Sequence, residues 1–88
     1  MSVTNRTNYT KYDAGTVSAT TTYATVTPDE TILQLLVYPL KAGFIKLNGS
    51  AKEIFLPAET WTPMSVATTS FDIKVAEDGD VYWQGWYL

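Results

Sequence analysis

Residues 70–88 read SFDIKVAEDGDVYWQGWYL, and the class of the fold follows from them. Phe71, Ile73 and Val75 alternate with Asp72 and Lys74, which puts apolar residues on one side of an extended chain and charges on the other. Glu77-Asp78-Gly79-Asp80 has the composition of a turn, and residues 81–88 are expected to return as a strand paired with their predecessor. In that last strand Val81, Trp83 and Tyr87 project one way, and Tyr82, Trp86 and Leu88 the other. Both faces carry large rings, so the face that misses the core needs another cover or stays as an exposed apolar patch. Three covers fit. Trp61 can lap over from residues 57–63, a neighbouring subunit can anchor on Tyr82, Trp86 and Leu88, or a sugar can stack on Trp61, Trp83 or Trp86. Gly85 between the rings marks a bulge or a close approach of another group to the backbone.

Further back, residues 44–47 run into Asn48-Gly49, a dipeptide suited to a type I′ turn because both central residues there take positive φ. Lys52-Glu53-Ile54-Phe55-Leu56 is the expected returning strand. Pro57 and Pro63 keep the next loop extended or turned, and residues 64–66 have room for a short strand. Residues 31–38, TILQLLVY, read either as a helix capped by Asp29 or as a strand buried on both faces. Eight residues ending at Pro39 are short for a helix, and strand is the preferred reading.

Residues 16–27, TVSATTTYATVT, are nearly all β-branched or small and are expected to form one long strand with neither face strongly apolar, stopped at Pro28-Asp29-Glu30. The first fifteen residues are polar, with Val3, Tyr9 and Tyr12 as isolated apolar points. They read as a frayed end or as an arm that orders when Tyr9 and Tyr12 lie on a neighbouring subunit. The expected architecture is all-β: a small antiparallel β-sandwich, jelly-roll-like or immunoglobulin-like, with an extended N-terminal arm over residues 1–15 and one domain over residues 16–88.

Composition narrows the chemistry. The 88 residues contain no Cys and no His, which removes disulfide staples, histidine-based catalytic units and the usual zinc ligand sets. Six basic against nine acidic residues give a net charge of −3, a poor match for duplex nucleic acid. Fourteen threonines and 14% aromatic residues favour sheet over helix. No apolar run is long enough to cross a membrane and residues 1–10 do not resemble a secretion leader, so a soluble domain with no membrane partner is expected. Glu53, Glu59, Asp72 and Asp80 are the carboxylates from which a glycosidase pair could be drawn, but they fall on exposed parities or in turns and read as solvated charge. The cluster Glu77-Asp78-Gly79-Asp80 is dense enough for Ca²⁺, yet its spacing is not that of the twelve-residue calcium loop and it reads first as a turn. Asn5, Asn8 and Asn48 head Asn-x-Ser/Thr triplets, which arise readily by chance in this composition. Neither enzymatic activity nor a cofactor or metal is expected.

The run Phe44-Ile45-Lys46-Leu47-Asn48-Gly49, then Ile54-Phe55-Leu56-Pro57-Ala58-Glu59-Thr60-Trp61, then Phe71-Asp72-Ile73-Lys74-Val75 and the ending Trp83-Gln84-Gly85-Trp86-Tyr87 resembles the layout of small structural proteins of tailed bacteriophage virions. In that group a hairpin leads into a Leu-Pro-Ala crossover and a closing strand with a Gly-Trp end. The resemblance covers residues 44–88. It implies a non-catalytic β-sandwich located in the virion, as a capsid decoration protein, a head-fibre base or a neck or tail component. It also implies a homo-oligomer, trimer favoured, with the major capsid protein or neck and tail proteins as partners. No individual contact residue carries over from it. From the residues themselves, Tyr9, Tyr12, Tyr82, Trp86 and Leu88 are the expected subunit or capsid contacts. Trp61, Trp83 and Trp86 are the expected platform of the alternative, a carbohydrate-binding or receptor-binding adhesion module.

Overall fold

A computed structural model of the chain describes residues 11–88, so Tyr9 and the rest of residues 1–10 lie outside the described residues. Eight strands, and no helix among the described residues, follow in order: β1 (Lys11–Ala19), β2 (Ala24–Val26), β3 (Gln34–Pro39), β4 (Gly43–Leu47), β5 (Ile54–Leu56), β6 (Thr62–Met64), β7 (Phe71–Val75) and β8 (Gly79–Tyr87). They form two four-stranded sheets, ordered β1-β8-β3-β6 and β2-β7-β4-β5, in which every pairing is antiparallel. Only the β4–β5 connection stays within a sheet; each of the others carries the chain from one sheet to the other. The result is a β-sandwich-like all-β architecture.

This crossing corrects the reading of residues 70–88. β7 and β8 are both strands, but they lie in opposite sheets and do not pair with each other. The alternation explains why. Phe71, Ile73 and Val75 form an apolar row that a flat hairpin would set beside Val81 and Trp83; by changing sheets at the turn, the chain sets the two rows face to face and both become core. The rings of Phe71 and Trp83 meet edge to face with centroids 5.5 Å apart. Ile32, Leu35, Val37, Ile45, Leu56 and Met64 fill the remainder of the core.

The expected single strand over residues 16–27 is two strands. The chain turns at residues 20–23, where the Thr20 hydroxyl accepts from the Thr22 amide at 3.2 Å and the Thr20 carbonyl accepts from the Val75 amide at 2.9 Å. Odd residues point inward before the corner (Val17, Ala19) and even residues after it (Ala24, Val26). A continuous-strand reading averages these two parities, which is why neither face looked apolar. Residues 11–15, assigned by their polarity to the arm, are instead the first half of β1 and pair with β8 from Lys11↔Tyr87 to Gly15↔Trp83.

Residues 34–39 are strand and not helix, with Leu35, Val37 and Pro39 buried and Leu36 and Tyr38 half-buried on the outer side, so only one face is fully enclosed. The Asn48-Gly49 turn forms with φ of 55° and 73°, closed by the Ser50 amide on the Leu47 carbonyl at 2.9 Å. Ladder pairing resumes only at Ile45↔Ile54, so the returning strand begins at Ile54 rather than Lys52. The Asn48 side chain donates to the Ala67 carbonyl at 2.9 Å and accepts from the Thr69 amide at 2.7 Å, which ties the hairpin tip to the loop before β7. The short strand expected at residues 64–66 is Thr62–Met64, added to β3.

Candidate functional site

On β8 the alternation holds: Val81, Trp83 and Gly85 are buried, while Tyr82, Gln84 and Trp86 face out. Pairing extends each outward residue into a row across the sheet. Thr16, Tyr82 and Tyr38 form one row, Ala14, Gln84, Leu36 and Pro63 a second, and Tyr12, Trp86 and Gln34 a third. Trp61, just before β6, closes on the first row, with its ring 5.1 Å from that of Tyr38 at an interplanar angle of 50°. Tyr38 in turn lies 6.5 Å from Tyr82. Aromatic pairs in this distance range attract by offset or edge contacts, so the three rings brace one another. They are not enclosed: Trp61 is 43% exposed and Tyr82 39%, with Tyr38 half-buried between them, and Tyr12 in the third row is 71% exposed. Trp61 therefore laps over the outer face but does not cover it. A shallow depression of about 310 Å³ opens here, lined by Ala14, Gly15, Thr16, Trp61, Tyr82 and Gln84, with Trp83 at its floor beside Gly15.

Among the outward positions of these four strands only Asp80 is charged. The outer face of the second sheet has rings as well, but charges lie among them. Lys46 and Lys74 lie over the Tyr23 ring at 4.1 and 4.8 Å, Tyr23 donates its hydroxyl proton to Glu53, and Lys74 pairs with Glu53 at 3.5 Å. The Thr25 hydroxyl donates to Asp72 at 2.6 Å. Desolvation together with the Glu53 hydrogen bond and charge pushes the Tyr23 phenol up to about 12, and the Tyr23 hydrogen bond, helped by Lys74 and Lys46, holds the Glu53 carboxyl below its ordinary range. A carboxyl held low is the opposite of the raised general acid that glycoside hydrolysis uses. Beside this network a second depression, about 290 Å³, is walled by Phe44, Phe55 and Lys74, with the two phenyl rings 5.8 Å apart.

The expected site residues separate by parity. Tyr12, Tyr82 and Trp86 share the outer face of the first sheet, Leu88 is exposed at its end, and Trp61 joins them. Trp83 does not. It is 6% exposed, meets Phe71 edge to face and lies over Gly15, where an added Cβ would come within 2.7 Å of the indole Nε1, so although it borders the depression its ring is too enclosed to serve as a stacking platform. Gly85 is a close approach and not a bulge, since pairing runs through it without a break and Ile32 fills the space above it. Among the described residues no cluster of carboxylates is arranged to hold a metal, and Glu77 of the acidic turn pairs with Lys41 at 3.0 Å. Tyr38 went unassigned in the sequence because residues 31–38 read as buried on both faces; its register partner Tyr82 is what places it on the face.

No known family's sequence pattern matches the chain, and no curated protein matches it. Among solved structures it is similar to the crystal structure of protein VPA0057 of Vibrio parahaemolyticus (targeted domain 2–94), a protein of unknown function. That similarity has a TM-score of 0.51 at 17% identity over 84% of this chain and 72% of the other. It is a likeness of fold.

Proposed function

We propose that this chain is a non-enzymatic structural subunit that attaches to a larger protein assembly through the aromatic outer face of the β1-β8-β3-β6 sheet. The observation that carries the reading is the contrast in charge between the two outer faces: rings with Asp80 as the one charged outward residue on the first, and rings interleaved with Lys46, Lys74, Glu53 and Asp72 on the second. Interface centres are poor in charge and rich in Tyr and Trp, as the first face is. We further infer a jelly roll rather than an immunoglobulin-like sandwich. The orders β1-β8-β3-β6 and β2-β7-β4-β5 suit eight strands wound as two Greek keys, an architecture used in viral capsid and lectin domains. The virion setting, as capsid decoration, head fibre, neck or tail, rests on the resemblance of residues 44–88 and on this fold-level analogy.

Co-sedimentation with particles from the chain's native source tests it. Wild type pellets with the particles, and Trp61→Ala/Tyr82→Ala, which removes exposed rings only, stays in the supernatant with an unchanged circular dichroism spectrum. The depression beside Trp61, with the Gln84 amide and the Thr16 hydroxyl at its margin, has the size and polarity for a neutral sugar. Retention on a glycan array without pelleting moves the assignment to the carbohydrate-binding reading.

A further inference from the structure

The edges of the two sheets are unequal. β2, β5 and β6 are edge strands of three residues each, and β6 contains Pro63. β1 is an edge strand of nine residues with no proline and no break in its pairing to β8, and among the described residues no strand lies beyond it. Short strands and prolines protect edges from further pairing; β1 has neither protection.

Its outward backbone groups follow from the ladder. The Leu40 amide donates to the Asp80 carbonyl at 3.0 Å, in line with the β3–β8 register, so even-numbered residues of β8 aim their backbone at β3 and odd-numbered ones at β1. Through the β1–β8 register the odd residues of β1 are spent on β8, and the amides and carbonyls of Tyr12, Ala14, Thr16 and Ser18 face away. Ala14 agrees with this: its amide donates to the neighbouring Asp13 carboxylate at 2.8 Å.

We propose that a second copy of this chain adds its own β1 to this edge, antiparallel, about a two-fold axis through Gly15. Charge excludes two registers, and the number of outward residues that find a partner within β1 chooses Gly15 over an axis at Thr16, which would set Tyr12 against Thr20 beyond the strand. Residues 14–19, AGTVSA, carry no charge, so a second β1 brings no like-charge repulsion to the centre of the seam. A two-fold at Asp13 would oppose the two carboxylates directly, and one at Ala14 would set them diagonally. Centred on Gly15, Tyr12 faces Ser18 of the second copy, Ala14 faces Thr16 and Asp13 faces Val17, with no like charges opposite or diagonal. About eight backbone hydrogen bonds form once Asp13 releases the Ala14 amide. Tyr12, 71% exposed with Trp86 beside it on β8 and, among the described residues, no neighbour on its other flank, gains one, and the two aromatic faces merge into a continuous eight-stranded sheet. The pairing uses the edge and not the face, so it stands apart from the function proposed above.

Light scattering after size exclusion, over a concentration series of the full chain, should give twice 9.8 kDa. Thr16→Pro removes an amide that faces away from β8, so it should keep the fold and halve the mass, whereas Val17→Pro also breaks the β8 ladder and should unfold the domain. The chain has no cysteine, and Tyr12→Cys/Ser18→Cys should oxidise to a covalent dimer while either cysteine alone does not. A wild type that stays monomeric across the series, or a single cysteine that cross-links as well as the pair, overturns the proposal. Should Thr16→Pro fail to fold, the cysteine pair decides the matter.

Discussion

Gly85→Ala is the sharpest test of how the core closes under the last strand. Gly85 sits in mid-β8 between Asp13 and Leu35, beneath the fully buried Ile32. A Cβ there would lie 2.7 Å from both Ile32 Cδ1 and Cγ2 and 3.0 Å from Cγ1. Ordinary carbon contacts are about 3.5–4.0 Å, and Cγ2 is fixed by the branched Cβ, so Ile32 must shift as a whole. Overpacking of this kind costs roughly 1–3 kcal/mol, and the lower backbone entropy of alanine in the unfolded chain offsets about 0.4–1 kcal/mol of it. The expected net loss is about 0–2.6 kcal/mol, with its midpoint at about 1.3 kcal/mol, which in a domain of this size lowers the melting temperature by roughly 5–10 °C. Ile32→Ala alone should cost about 2–5 kcal/mol through the cavity it leaves. In the double variant the new methyl enters that cavity, so the pair should be less destabilising than the sum by at least about 0.5 kcal/mol. Urea unfolding followed by tryptophan fluorescence measures all four corners of the cycle. A Gly85→Ala variant more stable than wild type, or additivity between the two sites, refutes the packing described here.

Two further outcomes follow from the same parity and charge placement. Trp83→Ala should cost about 3–5 kcal/mol in chemical denaturation, whereas Trp61→Ala, which loses one ring contact with Tyr38 on an exposed face, should cost about 0.5–1.5 kcal/mol; equal losses would contradict the inward and outward assignment. For the Tyr23–Glu53 pair the signs oppose. Glu53, lowered in the fold, adds stability above its ordinary carboxylate range that disappears as pH falls through the folded value, while Tyr23, raised to about 12, adds stability that is complete below pH about 10 and is lost as pH climbs toward 12. Melting temperature against pH should therefore drop at both extremes, and Tyr23→Phe should remove the alkaline drop and weaken the acid one. A Tyr23→Phe profile matching wild type would disprove the coupling.

The residues that spoke plainly in the sequence are those whose neighbours along the chain decide their fate. The alternation of Phe71, Ile73 and Val75 marks a half-buried strand, Asn48-Gly49 marks a turn of positive φ, and Tyr82 and Trp86 are placed opposite Trp83; each is found so. What did not show is set by distant partners. Nothing near Trp83 says that its side of β8 is the inner one; the space for its indole is made by Gly15, far off in the chain. The corner at residues 20–23 hid because a run of threonines and small residues is compatible with either parity, and only the ladders to β8 and β7 reveal the switch. Pairing of β8 with β1 and β3 instead of β7 is likewise a matter of which apolar rows face each other, and strand order leaves no local trace. Tyr38 entered the aromatic cluster through that pairing alone.

The position of β8 also governs when the molecule can fold. It is last in chain order of the eight strands and yet lies inside its sheet, with β1 on one side and β3 on the other. Until it has left the ribosome, those two strands have nothing to join them and the Phe71 side of the core has no lid. The β2-β7-β4-β5 sheet and the β3–β6 pair precede β8 in the chain, but the sandwich closes only with the β1–β8 contact, which spans most of the described residues, a slow route that leaves unpaired edges exposed in the meantime.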